Sequence, residues 1–394
     1  MLAKPTRGVA PFDSAKLDEL MTQSGIDVLF ATSKPNIQYL MGGYRCSFFG
    51  SMDAIGISRY LPIFIYFRGR PDLAGYIGGD VEVFDHDNGA FWTPHVSVKV
   101  MNVAGAVEAA VDYVRSVGLP AKVIGIEPGF MPMDAAAAFG EALPSSDMVD
   151  FVVGLERLRA VKSPAEIAML RQASDRVVQS MLATIAQIQP GMTKAEIIEQ
   201  LRREETARGL NFEYCLLAVG RSFNRGTSDQ VVEAGDVISI DSGGNFSGYI
   251  GDLARMAVVG EADAELEQLL GLVDAVQQAA RGAVRAGAIG SSLYDAANAC
   301  LAGIDHKMHF VAHGMGLIGH EAPRLSAKAP IPYPAYDSDL PLQSGMILSI
   351  ETSLPHATRG FIKLEDTIVV TDSGYEALGD FARGWNVCGV ATAN

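Results

Sequence analysis

Positive charge is in short supply in this chain. Lys and Arg number 31 against 46 Asp and Glu, a formal net charge of −15, so the basic surface on which nucleic acids and anionic membranes depend is missing. Cysteine is scarcer still. Cys46, Cys215, Cys300 and Cys388 lie far apart and form no CxxC element, which excludes a zinc knuckle and a dense disulfide framework and fits reduced thiols in a cytoplasm. Long apolar runs are also lacking. The longest near the start, LPIFIYF at 61–67, is of strand length and too short to span a bilayer. The opening MLAKPTRGVAPFDSAKL has no apolar core of the kind a signal peptide carries. A soluble cytoplasmic protein with no nucleic-acid or membrane partner is expected.

At 394 residues and 48% apolar content, the chain is long enough for two domains with buried cores. Residues 14–150 alternate helical and strand patterns. SAKLDELMTQSG reads as a helix ended by Gly25, DVLFAT, PIFIYF and KVIGIE as buried strands, and VAGAVEAAVDYVRSVG and MDAAAAFGEAL as helices. That succession predicts an α/β domain on a mixed or parallel sheet. No phosphate-binding glycine loop occurs in it. At Ser163 the character changes. SPAE supplies a capping Ser, a Pro at the first helical position and a Glu three residues after the cap; Thr193 and Glu196 repeat the device. Strands near 213–220 and 236–258, helices at 261–286 and near 291–303, and a hairpin at 345–371 complete an α+β block. The domain limits are set at 1–155 and 156–394.

Two pairs of acids stand out in the second block. In VISIDSGGNFSGYIGDLARMAV, Asp241 and Asp252 flank a turn whose midpoint falls at Phe246 and Ser247; in MILSIETSLPHATRGFIKLEDTIVVT, Glu351 and Glu365 are symmetric about Thr358. Each pair is expected face to face across an antiparallel hairpin, where like charges repel unless a cation lies between them. Asp241 and Glu351 follow the apolar runs VISI and MILSI, so their charges are buried and need partners. Between the hairpins, HKMHFVAHGMGLIGHEAP holds His306, His309, His313 and His320, four of the seven histidines. Carboxylates with one imidazole suit Mn(II), Fe(II), Co(II) or Zn(II), and lack the thiolates of a structural zinc site. Four acids balance about two divalent ions, and such a pair can activate a shared water and polarise a carbonyl.

These residues also carry a family resemblance, and it extends over nearly the whole chain. GIDVLFATSKPNIQYLMGGY resembles a creatinase-type N-terminal domain; LRAVKSPAEIAMLRQA, QPGMTKAEI, DSG with GD-x-x-R, HGMG followed by HEAP, IE and LEDT resemble the M24-type metallopeptidases. That superfamily includes the Xaa-Pro aminopeptidases, prolidases and creatinases. The resemblance implies an α/β creatinase-like domain followed by an α+β pita-bread catalytic domain, and a homodimer. It implies two divalent ions, manganese among the candidates, held by Asp241, Asp252, His313, Glu351 and Glu365. His309 and His320 would bind the substrate carbonyl and steady the tetrahedral intermediate, and Glu351 would also relay a proton from water to the leaving amine.

Two positions depart from the pattern. Asn224 stands where the peptidases carry a further His, and Lys363 stands where RIED would place Arg. The function implied is a dinuclear-metal hydrolase of Xaa-Pro peptide or small amide bonds acting on a small peptide or small molecule. The alternatives are a superfamily member with non-peptide chemistry, either creatinase-like C–N hydrolysis of a small amidine-like solute or C–S cleavage of a sulfonium acid, and an inactive binding module.

Overall fold

The computed structural model describes residues 5–46, 60–100, 102–326 and 334–390. The chain divides into two compact units, Met1–Arg159 and Ala160–Asn394.

In the first unit α1 (Ser14–Gln23), β1 (Val28–Ala31), α2 (Lys34–Leu40), β2 (Ile63–Phe67), β3 (Arg70–Gly79), α3 (Val83–Asp87), β4 (His95–Val100), α4 (Val103–Val117), β5 (Val123–Ile126), α5 (Met133–Ala142), β6 (Asp147–Asp150) and α6 (Val152–Leu158) follow one another. The six strands form one mixed sheet in the order β4-β3-β2-β1-β5-β6. Both faces are covered, and the sequence alternates accordingly: Leu29, Phe64 and Tyr66 enter one core with Leu17 and Trp92, while Val28, Phe30, Ile63 and Ile65 enter the other with Val107 and Phe139. Asp13 caps α1 by accepting a 2.9 Å hydrogen bond from the Lys16 amide. Strand β3 escapes the sequence reading because its Pro and three glycines hide a run that is buried over its last six residues.

The second unit begins with α7 (Pro164–Ile185) and α8 (Lys194–Ala207), then β7 (Asn211–Val219), β8 (Val237–Phe246), β9 (Tyr249–Val258), α9 (Ala264–Gly282), α10 (Ser292–Leu301), β10 (His309–Gly314), β11 (Ile347–His356), β12 (Gly360–Val370), β13 (Tyr375–Leu378) and β14 (Asn386–Val387). Both expected capping boxes are present, Ser163 with Glu166 and Thr193 with Glu196. The strands form one sheet, β10-β11-β12-β9-β8-β7, with β13 added to β12 and β14 to β9. Helix α7 lies so close on β9 that a Cβ at Gly251 would stand 2.7 Å from backbone atoms of Ala173 and Ser174. On β8, Ile238 and Ile240 enter the core shared with α7 and α8. Asp241, one residue on, therefore projects from the other face of the strand.

Helix α8 also buries Glu205. One of its carboxylate oxygens accepts a 2.9 Å hydrogen bond from Ser242 Oγ and the other has no partner. Burial pushes its pKa up to about 8, against an ordinary 4.5. The folded chain thus holds a proton that the unfolded chain releases, so stability falls as pH rises from about 4.5 to about 8, by at most ~1.4 kcal/mol per pH unit. Glu205→Gln should flatten that slope and be the more stable protein above about pH 8. Urea midpoints measured across this range check it, and parallel profiles for the two proteins would count against the assignment.

Candidate metal centre

The five expected donors stand on five adjacent strands of the second sheet: His313 on β10, Glu351 on β11, Glu365 on β12, Asp252 on β9 and Asp241 on β8. Glu351 pairs directly with Glu365, as their symmetry about Thr358 requires. The other hairpin differs from the sequence reading. Its turn is Ser247-Gly248, with φ of 55° and 98°, the positive values that a two-residue hairpin turn demands. Asp241 consequently faces Ala254, and Asp252 faces Gly243. The expected face-to-face pairing of these aspartates is corrected to a diagonal one on the same face, a separation that a cation still bridges.

Neighbouring groups fix the acids in place. Arg255, the Arg of the GD-x-x-R pattern, donates to the carbonyls of Ala254 at 2.9 Å and Glu365 at 3.0 Å and so ties β9 to β12. Thr367 Oγ1 donates to the Asp252 carbonyl at 3.1 Å, and Ser349 Oγ to Glu365 Oε1 at 2.7 Å. The Tyr214 hydroxyl donates to Asp252 Oδ1.

Ligating atoms of Asp252, His313 and Glu365 all lie within 4.8 Å of one another, and all three residues are buried. His313 Nε2 has no hydrogen-bond partner; it stands 3.8 Å from Glu365 Oε1 and 3.9 Å from Glu351 Oε1. Those separations are too long for hydrogen bonds and leave the donor atoms grouped without bonds among them. The residues present fit a divalent ion.

The charges are strongly coupled. Burial, together with the charges of Glu365 and Asp241, drives the Asp252 carboxyl well above the usual carboxylate range. Burial would lower His313, but the Glu365 carboxylate, with Glu351 and Asp252, outweighs it and holds the imidazole up at about 9. Burial raises Asp241 to about 6 against the opposing pull of Lys363. Glu365 is lowered despite its burial, because Lys363 and His313 face it. Burial and neighbouring carboxylates raise Asp252, whereas the cations that face Glu365 lower it.

His320 stacks on His313 with ring centroids 3.8 Å apart, and burial, aided by the charge of His313, lowers it to about 3. It lines a cavity of about 330 Å³ with Asp241, Asp252, Glu351 and Glu365. A larger hollow of about 960 Å³, bordered by Arg221, Asp236 and Arg359, holds none of these acids. Donor chemistry, not size, selects the smaller one.

The remaining histidines and Asn224 are placed elsewhere. His309 opens β10, is exposed and does not line the cavity. His306 is exposed as well, near the ring of His356. Asn224 is exposed, and its side-chain oxygen accepts from Gly226 N at 2.9 Å within its own loop. The loop residue that reaches the site is Arg225, whose guanidinium pairs with Asp241 and lies over the Phe361 ring, 5.2 Å from its centroid. Sequence reasoning missed Arg225 and Tyr214. The excess of buried carboxylates over cations was a signal that could have prompted a search for Arg225. Lys363 is buried and places its ammonium 2.6 Å from Asp241 Oδ2, 2.5 Å from Glu351 Oε2 and 2.7 Å from Glu365 Oε2. These three carboxylates hold its pKa far above the ordinary value although burial acts the other way.

A carboxylate and imidazole cluster of this kind, on five adjacent strands of a sheet flanked by helices, defines a metal-dependent hydrolase. The chain belongs to metallopeptidase family M24, which residues 168–372 match, and residues 14–161 match the creatinase/prolidase N-terminal domain. Its second unit has the pita-bread fold. The Xaa-Pro dipeptidase of Pyrococcus furiosus is 24% identical, over 83% of this chain and 93% of the relative. A probable dipeptidase, PepE, of Mycobacterium bovis is 31% identical over 56% of this chain and 58% of its own. Among solved structures, an Xaa-Pro dipeptidase from Bacillus anthracis superposes with a TM-score of 0.78 at 21% identity, covering 95% of this chain and 98% of that one. Among the described residues no helix is long and apolar enough to cross a membrane.

Proposed function

We propose that this chain hydrolyses peptide bonds in short substrates, with Xaa-Pro dipeptides and tripeptides the leading class. The proposed donor shell is Asp252, His313, Glu351 and Glu365 with Asp241 at its edge, and two ions are the upper count that this shell admits. The convergence of Asp252, His313 and Glu365 within 4.8 Å carries this reading. Support for the substrate class comes from the relatives named Xaa-Pro dipeptidase.

Mn(II), Fe(II), Co(II) or Zn(II) held there would supply Lewis acidity, polarising a carbonyl and acidifying a water. The chain's own residues do the rest. Glu351 is the most accessible of the acids, its side chain 15% exposed against 3% for Asp241 and Glu365, so it is the one placed to take a proton from water and pass it to a leaving amine. His320 is neutral at pH 7 and on the cavity wall; its ring N–H can donate to a developing oxyanion. His309, four residues along the strand from His313 and about 13 Å away, does not line the cavity, so the carbonyl-binding role that the resemblance implies for both histidines is carried here by His320. A cavity of about 330 Å³ is at the small end for ligand sites and favours substrates near dipeptide size.

One observation favours a second reading. The loop that carries Asn224 brings Arg225 to the site in place of a histidine, which keeps C–N hydrolysis or C–S cleavage of a small solute in view. The expected limit at 155/156 would cut α6, and the compact units divide four residues later, at Arg159/Ala160; a cytoplasmic location and a homodimer complete the proposal, and a monomer mass by light scattering would remove the last. The expected result is cleavage of Xaa-Pro dipeptides that a chelator abolishes and Mn(II) restores. Turnover of small amidine-like or sulfonium solutes without peptide cleavage would select the second reading, and bound ion without any turnover would select a binding module.

A further inference from the structure

The carboxylates of this site already hold a cation that belongs to the chain. The Lys363 ammonium donates a hydrogen bond to Asp241 Oδ2 at 2.6 Å and forms ion pairs with Glu351 Oε2 and Glu365 Oε2 at 2.5 and 2.7 Å. Its ammonium is buried and ion-paired to three carboxylates. Each glutamate is split between two partners: the Oε2 atoms face Lys363, while the Oε1 atoms of Glu351 and Glu365 stand 3.9 and 3.8 Å from His313 Nε2. The two glutamates thus bridge the ammonium on one side and the Asp252–His313 position on the other, as they would bridge a pair of ions.

We propose that the Lys363 ammonium takes the place of a second divalent ion, so that the site binds one ion per chain through Asp252, His313, Glu351 and Glu365, with Asp241 committed to Lys363 and Arg225. The inference rests on the donor shell proposed above and changes its stoichiometry. Charge decides the count. Asp241, Asp252, Glu351 and Glu365 carry four negative charges, and Lys363 and Arg225 cancel two of them. One divalent ion neutralises the remainder, whereas two would leave two uncompensated positive charges in a buried site. Position agrees with charge. A second ion ligated by Asp241 and Glu365 would compete for the oxygens to which Lys363 is bonded and would stand against an ammonium.

Metal-free protein titrated with MnCl₂ tests this. Calorimetry and elemental analysis after desalting should give one Mn(II) per chain, and paramagnetic resonance should show isolated Mn(II) even with two equivalents added. Lys363→Met, which keeps an unbranched side chain one atom shorter and removes the charge, should raise the ratio to two and give a spin-coupled spectrum. Asp241→Asn should leave the ratio at one and answers the same question if the Lys363 variant does not fold. Two ions in the unaltered protein, loss of the ion in Asp241→Asn, or a folded Lys363→Met that still binds one would each overturn the inference while leaving the donor shell intact. Absence of any bound ion in the unaltered protein would overturn the shell, and this inference with it.

Discussion

Glu365→Gln will leave the protein folded and without its divalent ion or its hydrolytic activity. Glu365 is the residue on which the site converges: Oε1 accepts from Ser349 at 2.7 Å and faces His313, Oε2 faces Lys363, and its backbone carbonyl anchors Arg255. The amide keeps the shape and the backbone anchor but removes one charge and one of the lone-pair sets on which an ion depends. A ligand that binds only the folded state raises stability by RT ln(1 + [L]/Kd), about 2.7 kcal/mol at a hundredfold excess over Kd. The unaltered protein should therefore lose thermal stability on dialysis against a chelator, and the variant should not respond. Metal content, activity and the chelator-induced shift in Tm are the three readouts. A variant that keeps its ion and its activity would remove Glu365 from the shell.

His320→Ala should lower kcat by about 100–1,000-fold with metal content unchanged. The imidazole stacks on His313 without standing among the clustered donors. Being neutral at pH 7, it has a proton to donate as a hydrogen bond but no charge to repel an ion. The effect belongs to the step in which charge develops on the attacked carbonyl oxygen, so KM should move less than kcat. If the variant loses its metal in step with its activity, His320 is a ligand and the role proposed for it fails.

The parts of this site that the sequence reveals, and those it conceals, follow from the physics of hairpins. Glu351 and Glu365 can be paired from the sequence because the apolar runs around them are continuous and centre on Thr358. The β8–β9 hairpin is misread by one position because Asn245, Ser247 and Gly248 all qualify as turn formers. Gly248 at positive φ is what settles the register, and placing Ser247-Gly248 at the turn would have recovered the pairing of Asp252 with Gly243. Strands β4 and β6 stay hidden because β4 is only partly buried and β6 has four residues, none of them buried. Long-range charge is the hardest to see. Lys363 is recognisable as a departure from RIED, but that its ammonium touches three carboxylates depends on the approach of β8, β11 and β12, and Arg225 depends on the path of a loop.

All five candidate donors ride on adjacent strands, whereas Arg225 rides on a loop that a 2.8 Å hydrogen bond from Leu217 N to the Arg225 carbonyl holds to β7. Amide protons of such strands exchange with solvent only when the sheet opens, while those of the loop exchange through local fluctuations of much lower free energy. The two cations on Asp241 therefore differ in permanence. Lys363 is as fixed as the sheet that carries it, whereas Arg225 is held by a loop tied to β7 and to α8, where Lys194 donates to the Asn224 carbonyl, so its contact with Asp241 should exchange on the shorter timescale.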